Sequence, residues 1–398
     1  MQAKGNILKL KGKVQHYAWG GHDFLPSLLD IKNDEQKPFA EYWMGAHSSA
    51  SAEVEVDGNF KNLNELVLRD PNLYIGENVN NKFGELPFLF KILDVEEMLS
   101  IQVHPTKEEA IKGFEAEEIA GIAIDDPQRN YKDRNHKPEV MVALSDFWLL
   151  HGFKKEEELK ALLQQVPEFN VFYPDFVEQG YYGLYKEVME MSQEKVDDIL
   201  LRLVKRNLSE TAPSKLSAAY WVQKLYTNKN IDHIDRGVFS IYFFNIVQLS
   251  PGEGIFQGAG VPHAYLEGQN VELMANSDNV LRGGLTTKHV DVKELLKHTL
   301  FEAVEPKILK GDLNNKIEWN YPCPVDDFGI SAFQLNRGQE YSFTSFSGEI
   351  YLVISGTIAT SSTQSFSKGE SFYVLPQTNY SFTAVTDCLL YKAFVPQL

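Results

Sequence analysis

The sequence predicts a mainly β protein, interrupted by a helical insert and completed by a second β region. Three observations carry this. Two blocks on either side of the middle are rich in β-branched and aromatic residues. The middle carries apolar residues at helical spacing, with charged opposite faces. The tail, residues 338–398, is a series of short apolar runs separated by Gly, Ser, Thr and Pro, the pattern of a sandwich or barrel.

Taken in order, the runs PFLFKIL (87–93) and 99–103 read as strands, and the apolar run 140–150 is long enough for one buried strand. The helical insert follows. Residues 155–169 place Leu159, Leu162, Leu163 and Val166 at i, i+3, i+4 and i+7, and 194–208 repeats the pattern with Val196, Ile199, Leu200, Leu203 and Val204. Ala218, Ala219, Trp221, Val222 and Leu225 suggest a third helix, and Pro167, Pro174 and Pro213 punctuate the connections. The run VFSIYFFNIVQL (238–249) has too little polarity for an amphipathic helix and reads as a strand. Residues 271–275 alternate as a strand does, and VKELLKHTL (292–300) reads as a solvated helix. In the tail, YSFTSF, EIYLVIS, SFYVLP and CLLYKAFV are the expected strands. The expected division is 1–152 for the first part of a catalytic β region, 153–232 for the insert, 233–320 for its second part, and 321–398 for a C-terminal β region.

The 398 residues are 43% hydrophobic and 23% charged, an ordinary globular composition. Lys plus Arg is 38 against 55 Asp plus Glu, a formal charge of −17. That excess argues against partners held through cationic contacts, both nucleic acid and anionic membrane. An anionic substrate would need a local cluster of cations. Two cysteines, Cys323 and Cys388, are too few for a disulfide framework and read as buried or partly buried free thiols. No apolar run follows Met1 and none approaches a membrane span, so a soluble cytoplasmic protein is expected.

The ten histidines are uneven. His16, His22, His47, His104, His136 and His151 precede residue 152, and His233, His263, His289 and His298 follow residue 232. In the run LSIQVHP (99–105), Gln102 and His104 lie two apart and share one face of a strand, while Ile101 and Val103 face a core. Glu139 stands at the entrance of an apolar strand, after NHKP. Four glycines and two prolines frame the approach to His263, a rigid backbone that presets an imidazole. Gln102, His104, Glu139 and His263 together form a donor set suited to zinc with one open position, and also to Fe(II), Mn(II) or Co(II). Downstream, Glu272, Asp278, Arg282 and Lys288 are dense polar chemistry beside the turn Gly283–Gly284.

These residues carry a resemblance. QHYAWG (15–20), AEYWMGAH (40–47), LPFLFK (86–91), SIQVHP (100–105), RNYKD (129–133), NHKPE (135–139), GVPHAYL (260–266) and SDNVLRGGLT (277–286) occur in order, and the chain resembles the type I mannose-6-phosphate isomerase family. The resemblance implies a cupin-type catalytic barrel, an inserted α-helical domain and a second cupin-like C-terminal domain. It implies one Zn2+ per chain on Gln102, His104, Glu139 and His263, and Arg282 as a catalytic residue. The reaction implied is mannose 6-phosphate to fructose 6-phosphate through a cis-enediol, with a metal stabilising oxyanion charge. The proton carrier is Lys137 or Glu272, and His104 or His136 would assist ring opening. Trp19 offers a face for sugar stacking. Lys91, Ser100 and Lys288 are phosphate candidates, and Tyr265, His136 and Asp278 are further substrate contacts. A monomer is expected. Two other readings remain: a cupin oxygenase using Fe(II), and a sugar-phosphate-binding cupin without turnover.

Overall fold

In the computed structural model, which describes residues 5–229, 231–314 and 317–397, the strand His263–Ala275 is the hub of the fold. Its second half pairs antiparallel with Phe88–Val95 on one side and Glu139–Ala143 on the other. Its first half pairs with Phe147–Phe153 and, at His263, with Gln102–Val103. The register shifts between Tyr265 and Glu267. Gly268 beside that shift has φ +127°, and a Cβ there would meet the carbonyl of Asp146 at 2.7 Å. A glycine is what lets the strand change partners at this corner. The described strands of this sheet, eleven in all, follow an open path with side branches.

Alternation along the strands sorts their side chains. Phe90, Ile92, Val140, Val142, Val271 and Leu273 point to one side. There they share a core with Leu10, Val54, Ile330, Ala332, Ile350, Leu352 and Tyr391 of a second, nine-stranded sheet. Each fully buried aliphatic side chain in that layer contributes about 1.5–3 kcal/mol. The opposite positions include Lys91, Glu139 and Glu272, so the other face has a polar interior.

The nine-stranded sheet is not purely C-terminal. Its order runs from Asp312–Leu313 through Glu318–Tyr321, Gly329–Leu335, Cys388–Phe394, Glu349–Ser355 and Ser371–Val374 to Ile7–Lys11, Glu53–Val56 and Asn59–Asn62. The expected first catalytic part therefore supplies the three strands at one end of the tail's sheet, and the expected second part, which ends at 320, supplies Asp312–Leu313 and most of Glu318–Tyr321 at the other. A further four strands, Glu340–Thr344, Asn379–Ala384, Thr357–Thr360 and Ser365–Ser367, complete the tail.

The helical insert comprises Glu156–Gln165, Tyr173–Glu190, Gln193–Ser209 and Ala218–Tyr226. Its core of Leu159, Leu163, Leu200, Leu203 and Trp221 also takes in Ile101, Val103 and Leu281. Those three are the outward residues of the strands that carry Gln102 and Arg282, so the insert backs the site.

The mainly β fold with a helical insert is as expected, with local differences. The first insert helix stops at Gln165, and Pro167–Phe172 is a 3₁₀ turn, because Pro167 cannot extend an α-helix. The run 238–249 is not one strand: Gly237–Phe243 is helical and only Phe244–Leu249 is extended. All seven helical residues are buried, so no polar face marked the helix. The run 140–150 is two strands, Glu139–Ala143 and Phe147–Phe153, separated by a turn in which Leu144 donates to the Gln269 carbonyl. Cys388 is buried and Cys323 partly so, both as free thiols.

Candidate metal centre

Three buried side chains converge inside the polar face. His104 follows the short strand Gln102–Val103, Glu139 opens the strand Glu139–Ala143, and His263 opens the hub strand. The Nδ1 of His104 lies 2.8 Å from the Asn279 carbonyl, and the Nδ1 of His263 lies 2.9 Å from the Val261 carbonyl. A carbonyl only accepts, so each Nδ1 carries the proton and each Nε2 presents a lone pair. Those two Nε2 atoms stand 3.4 Å from opposite oxygens of Glu139 and have no hydrogen-bond partner. Two lone pairs facing a carboxylate repel it unless a cation sits among them. The residues therefore fit a divalent metal. Gln102 is directly across from His263 in the strand register, on the same face. Burial pushes the His104 imidazole down to about 4 against the opposing pull of Glu139. Burial alone would raise the Glu139 carboxyl, but Lys137 and then His104 hold it well below its ordinary range.

Around the cage, Lys137 Nζ is 3.4 Å from Glu139. Lys91 and Glu272 face each other across the strand pair at 3.0 Å, and Glu41 lies 3.7 Å from the same ammonium. Burial would push the Lys91 ammonium down, but Glu272, Glu41 and Glu139 outweigh it and hold it above the lysine range. Tyr265 donates to the other Glu272 oxygen at 2.8 Å, and Gln257 donates to Tyr265 at 3.1 Å. Arg282 pairs with Gln102 in the backbone register. Among the described residues no carboxylate lies within ion-pair distance of Arg282, and burial alone lowers its guanidinium.

Comparison with known proteins gives the family of the chain. The family profile for phosphomannose isomerase type I, catalytic domain, matches residues 7–156. The mannose-6-phosphate isomerase of Escherichia coli (strain K12) is 37% identical over 354 residues, covering 87% of this chain and 88% of that protein. The chain belongs to the type I phosphomannose isomerase family. Mannose-6-phosphate isomerase 2 of Arabidopsis thaliana is 35% identical over 98% of this chain and 93% of its own. The crystal structure of mannose 6-phosphate isomerase from Salmonella typhimurium, bound to fructose 6-phosphate and zinc, superposes with a TM-score of 0.87. It is 33% identical and covers 99% of this chain and 100% of its own.

Other residues singled out for this phosphomannose isomerase fall in differing surroundings. Lys91, expected as a phosphate ligand, is instead committed to Glu272 and Glu41, because the register sets it opposite a carboxylate. Glu272, expected as a competing proton carrier, has both oxygens engaged, by Lys91 and by Tyr265. The Tyr265 hydroxyl is likewise used on Glu272. His136 turns its Nε2 to Asp327 of the tail, 3.1 Å from both carboxylate oxygens. Asp278 lies 3.4 Å from His47 and is half exposed. Trp19 is half-buried and stacks on Tyr17 with ring centres 5.9 Å apart. Ser100 is half-buried and Lys288 exposed, its ammonium lowered by partial burial and then by the charge of Arg282.

The structure adds residues that the sequence did not suggest. Asn279 holds the carbonyl that orients His104. Its own side chain donates to the Asp133 and Asn135 carbonyls at 2.9 and 2.8 Å. The signal was within SDNVLR, but nothing in one sequence says which amide is buried. His151 is in register with His263, buried, with an Nδ1 that lacks a partner. Burial, and then His263, push it down to about 3. A lone histidine in the apolar run FWLLHGF was its only sign.

Proposed function

We propose that this chain interconverts mannose 6-phosphate and fructose 6-phosphate through a cis-enediol, with Gln102, His104, Glu139 and His263 holding one zinc ion. The observation that carries the reading is the pair of buried, unpartnered Nε2 atoms aimed at Glu139, beside Lys137. Zinc held there supplies Lewis-acid stabilisation of oxyanion charge. Lys137 moves the proton from C2 to C1; it is the only proton carrier of the two considered that is not enclosed between a lysine and a tyrosine. Arg282, free of carboxylates, offers its charge to the oxygen that becomes anionic during that transfer. Ser100 and Lys288 receive the phosphate, and Trp19 lies against the sugar face. Lys91, Glu272 and Tyr265 form the rigid floor of the site, and His136 and Asp278 line its outer wall. The enzyme works as a monomer in the cytoplasm. Two free thiols suit a reducing compartment, and sedimentation tests the monomer.

The test is a coupled assay on protein stripped by a chelator and then reloaded. Activity is lost on stripping and returns with zinc. A zinc-loaded chain that converts no mannose 6-phosphate ends the proposal. Lys137→Met lowers kcat by about 10²–10⁴-fold at unchanged zinc content; near-normal turnover removes Lys137 from its role.

A further inference from the structure

The loop that follows Arg282 has a constrained backbone. Gly284 has φ +117° and Leu285, which is not a glycine, has φ +53°. A branched side chain in the left-handed region persists only where its surroundings hold it there. Two holds are visible. On the strand side, Gly283 donates to the Ile101 carbonyl at 2.8 Å, and Ile101 donates to the Gly284 carbonyl at 3.0 Å. On the side that faces the insert, a carboxylate just past the insert's expected end collects three backbone N–H groups. Asp235 Oδ1 accepts from Leu285 and from Gly237, both at 2.7 Å, and Oδ2 accepts from Thr286 at 3.0 Å. The Asp235 amide itself donates to the Tyr226 hydroxyl at 2.9 Å, which ties the clamp to the last helix of the insert. The contact is close: a Cβ on Gly284 would meet the Gly237 Cα at 2.6 Å.

We infer that Asp235 is a positioning residue for the isomerase reaction, through which the helical insert sets the place of Arg282 beside Gln102. A carboxylate is the group suited to this task. It accepts on both oxygens, and its charge strengthens each bond to a backbone N–H. An asparagine would turn an NH₂ group toward one of those donors. The insert thus does more than cover apolar strands. Through Tyr226 and Asp235 it adds a second hold to a loop that the strand side already pins at Ile101. The inference rests on the reading of Arg282 given above.

The experiment is steady-state kinetics on zinc-loaded Asp235→Ala, Asp235→Asn, Arg282→Ala and the double variant Asp235→Ala/Arg282→Ala. Displacing a charged group by about an ångström costs about 10²-fold. Asp235→Ala therefore lowers kcat/KM by about that factor with zinc stoichiometry intact. Residues that act through one another are not additive. The double variant is then no slower than Arg282→Ala alone. Should Asp235→Ala not fold, Asp235→Asn shows a smaller loss that Arg282→Ala absorbs in the same way. Full additivity, normal kinetics in the Asp235 variants, or loss of zinc from them overturns the inference alone. Near-normal turnover by Arg282→Ala overturns the reading of Arg282 and the inference with it.

Discussion

Two buried lysine–glutamate clusters sit in the two β regions, and they differ in one respect. In the metal-bearing region Lys91 pairs with Glu272 and Glu41. In the tail Lys392 lies 3.2 Å from Glu318, with the rings of Phe333, Phe343 and Phe394 at 5.4, 5.1 and 4.5 Å. Tyr341 donates to Glu318 at 2.7 Å, and Tyr380 donates to Glu349 at 2.6 Å. Every one of these tail groups has a partner. The metal-bearing interior instead leaves His104 Nε2, His263 Nε2, Gln257 Oε1 and both side-chain atoms of Asn270 without one. An unmet buried polar atom costs about 1–3 kcal/mol. Among the described residues several such atoms gather in the first interior and none in its counterpart, which is what an interior that holds a ligand requires.

The largest expected effect separates the two clusters outright. Glu139→Gln keeps the shape of the side chain but removes the anion that faces both imidazoles. Zinc stoichiometry, read by atomic absorption, falls well below one per chain. Activity falls by more than the roughly 10–100-fold that losing an outer-shell partner costs. Retention of a full zinc equivalent would reject Glu139 as a ligand.

Lys392→Met probes the other side. Breaking a buried pair from one side costs about 3–5 kcal/mol, and the low end applies because Tyr341 still bonds Glu318. Urea unfolding should therefore show a loss of about 3 kcal/mol. Zinc content and kcat per folded chain should stay at parental values. A fall in zinc content would mean that the tail cluster is coupled to the site and that the contrast drawn above is wrong.

What could be read from the sequence follows the range of each interaction. Gln102 and His104 were readable because strand alternation acts over two residues. His263 was readable because glycines and prolines frame it locally. The Lys91–Glu272 pair was not, because it joins residues 181 apart whose meeting depends on strand register. The Asp235 clamp has the same difficulty, spanning 50 residues to Leu285. The helix Lys107–Ile119 went unread for another reason. Its apolar residues make no stripe, and Thr106 starts it by accepting from Glu109. The N-terminal strand Ile7–Lys11 also went unread, and its pairing with Ser371–Val374 is what puts it in the tail's sheet.

The smallest effect concerns pH, where the contrast between the regions is sharpest because no histidine follows residue 298. His151 is pushed down to about 3 by burial and then by His263. A histidine whose folded value is lowered stays neutral in the folded chain while the unfolded chain takes up a proton. Its contribution is complete above pH ~6.5, is lost progressively as pH falls from there toward 3, and is constant below that. Between pH 7 and pH 5 this amounts to about 2 kcal/mol. Asparagine cannot take up the proton. His151→Asn should therefore lose about 2 kcal/mol less than the parent between those two pH values, measured by urea unfolding. Both chains are measured zinc-loaded, so that they differ at His151 alone. Equal losses in parent and variant would mean that His151 takes up its proton in the folded state, and that its unpartnered nitrogen is reached by solvent rather than reserved within the site.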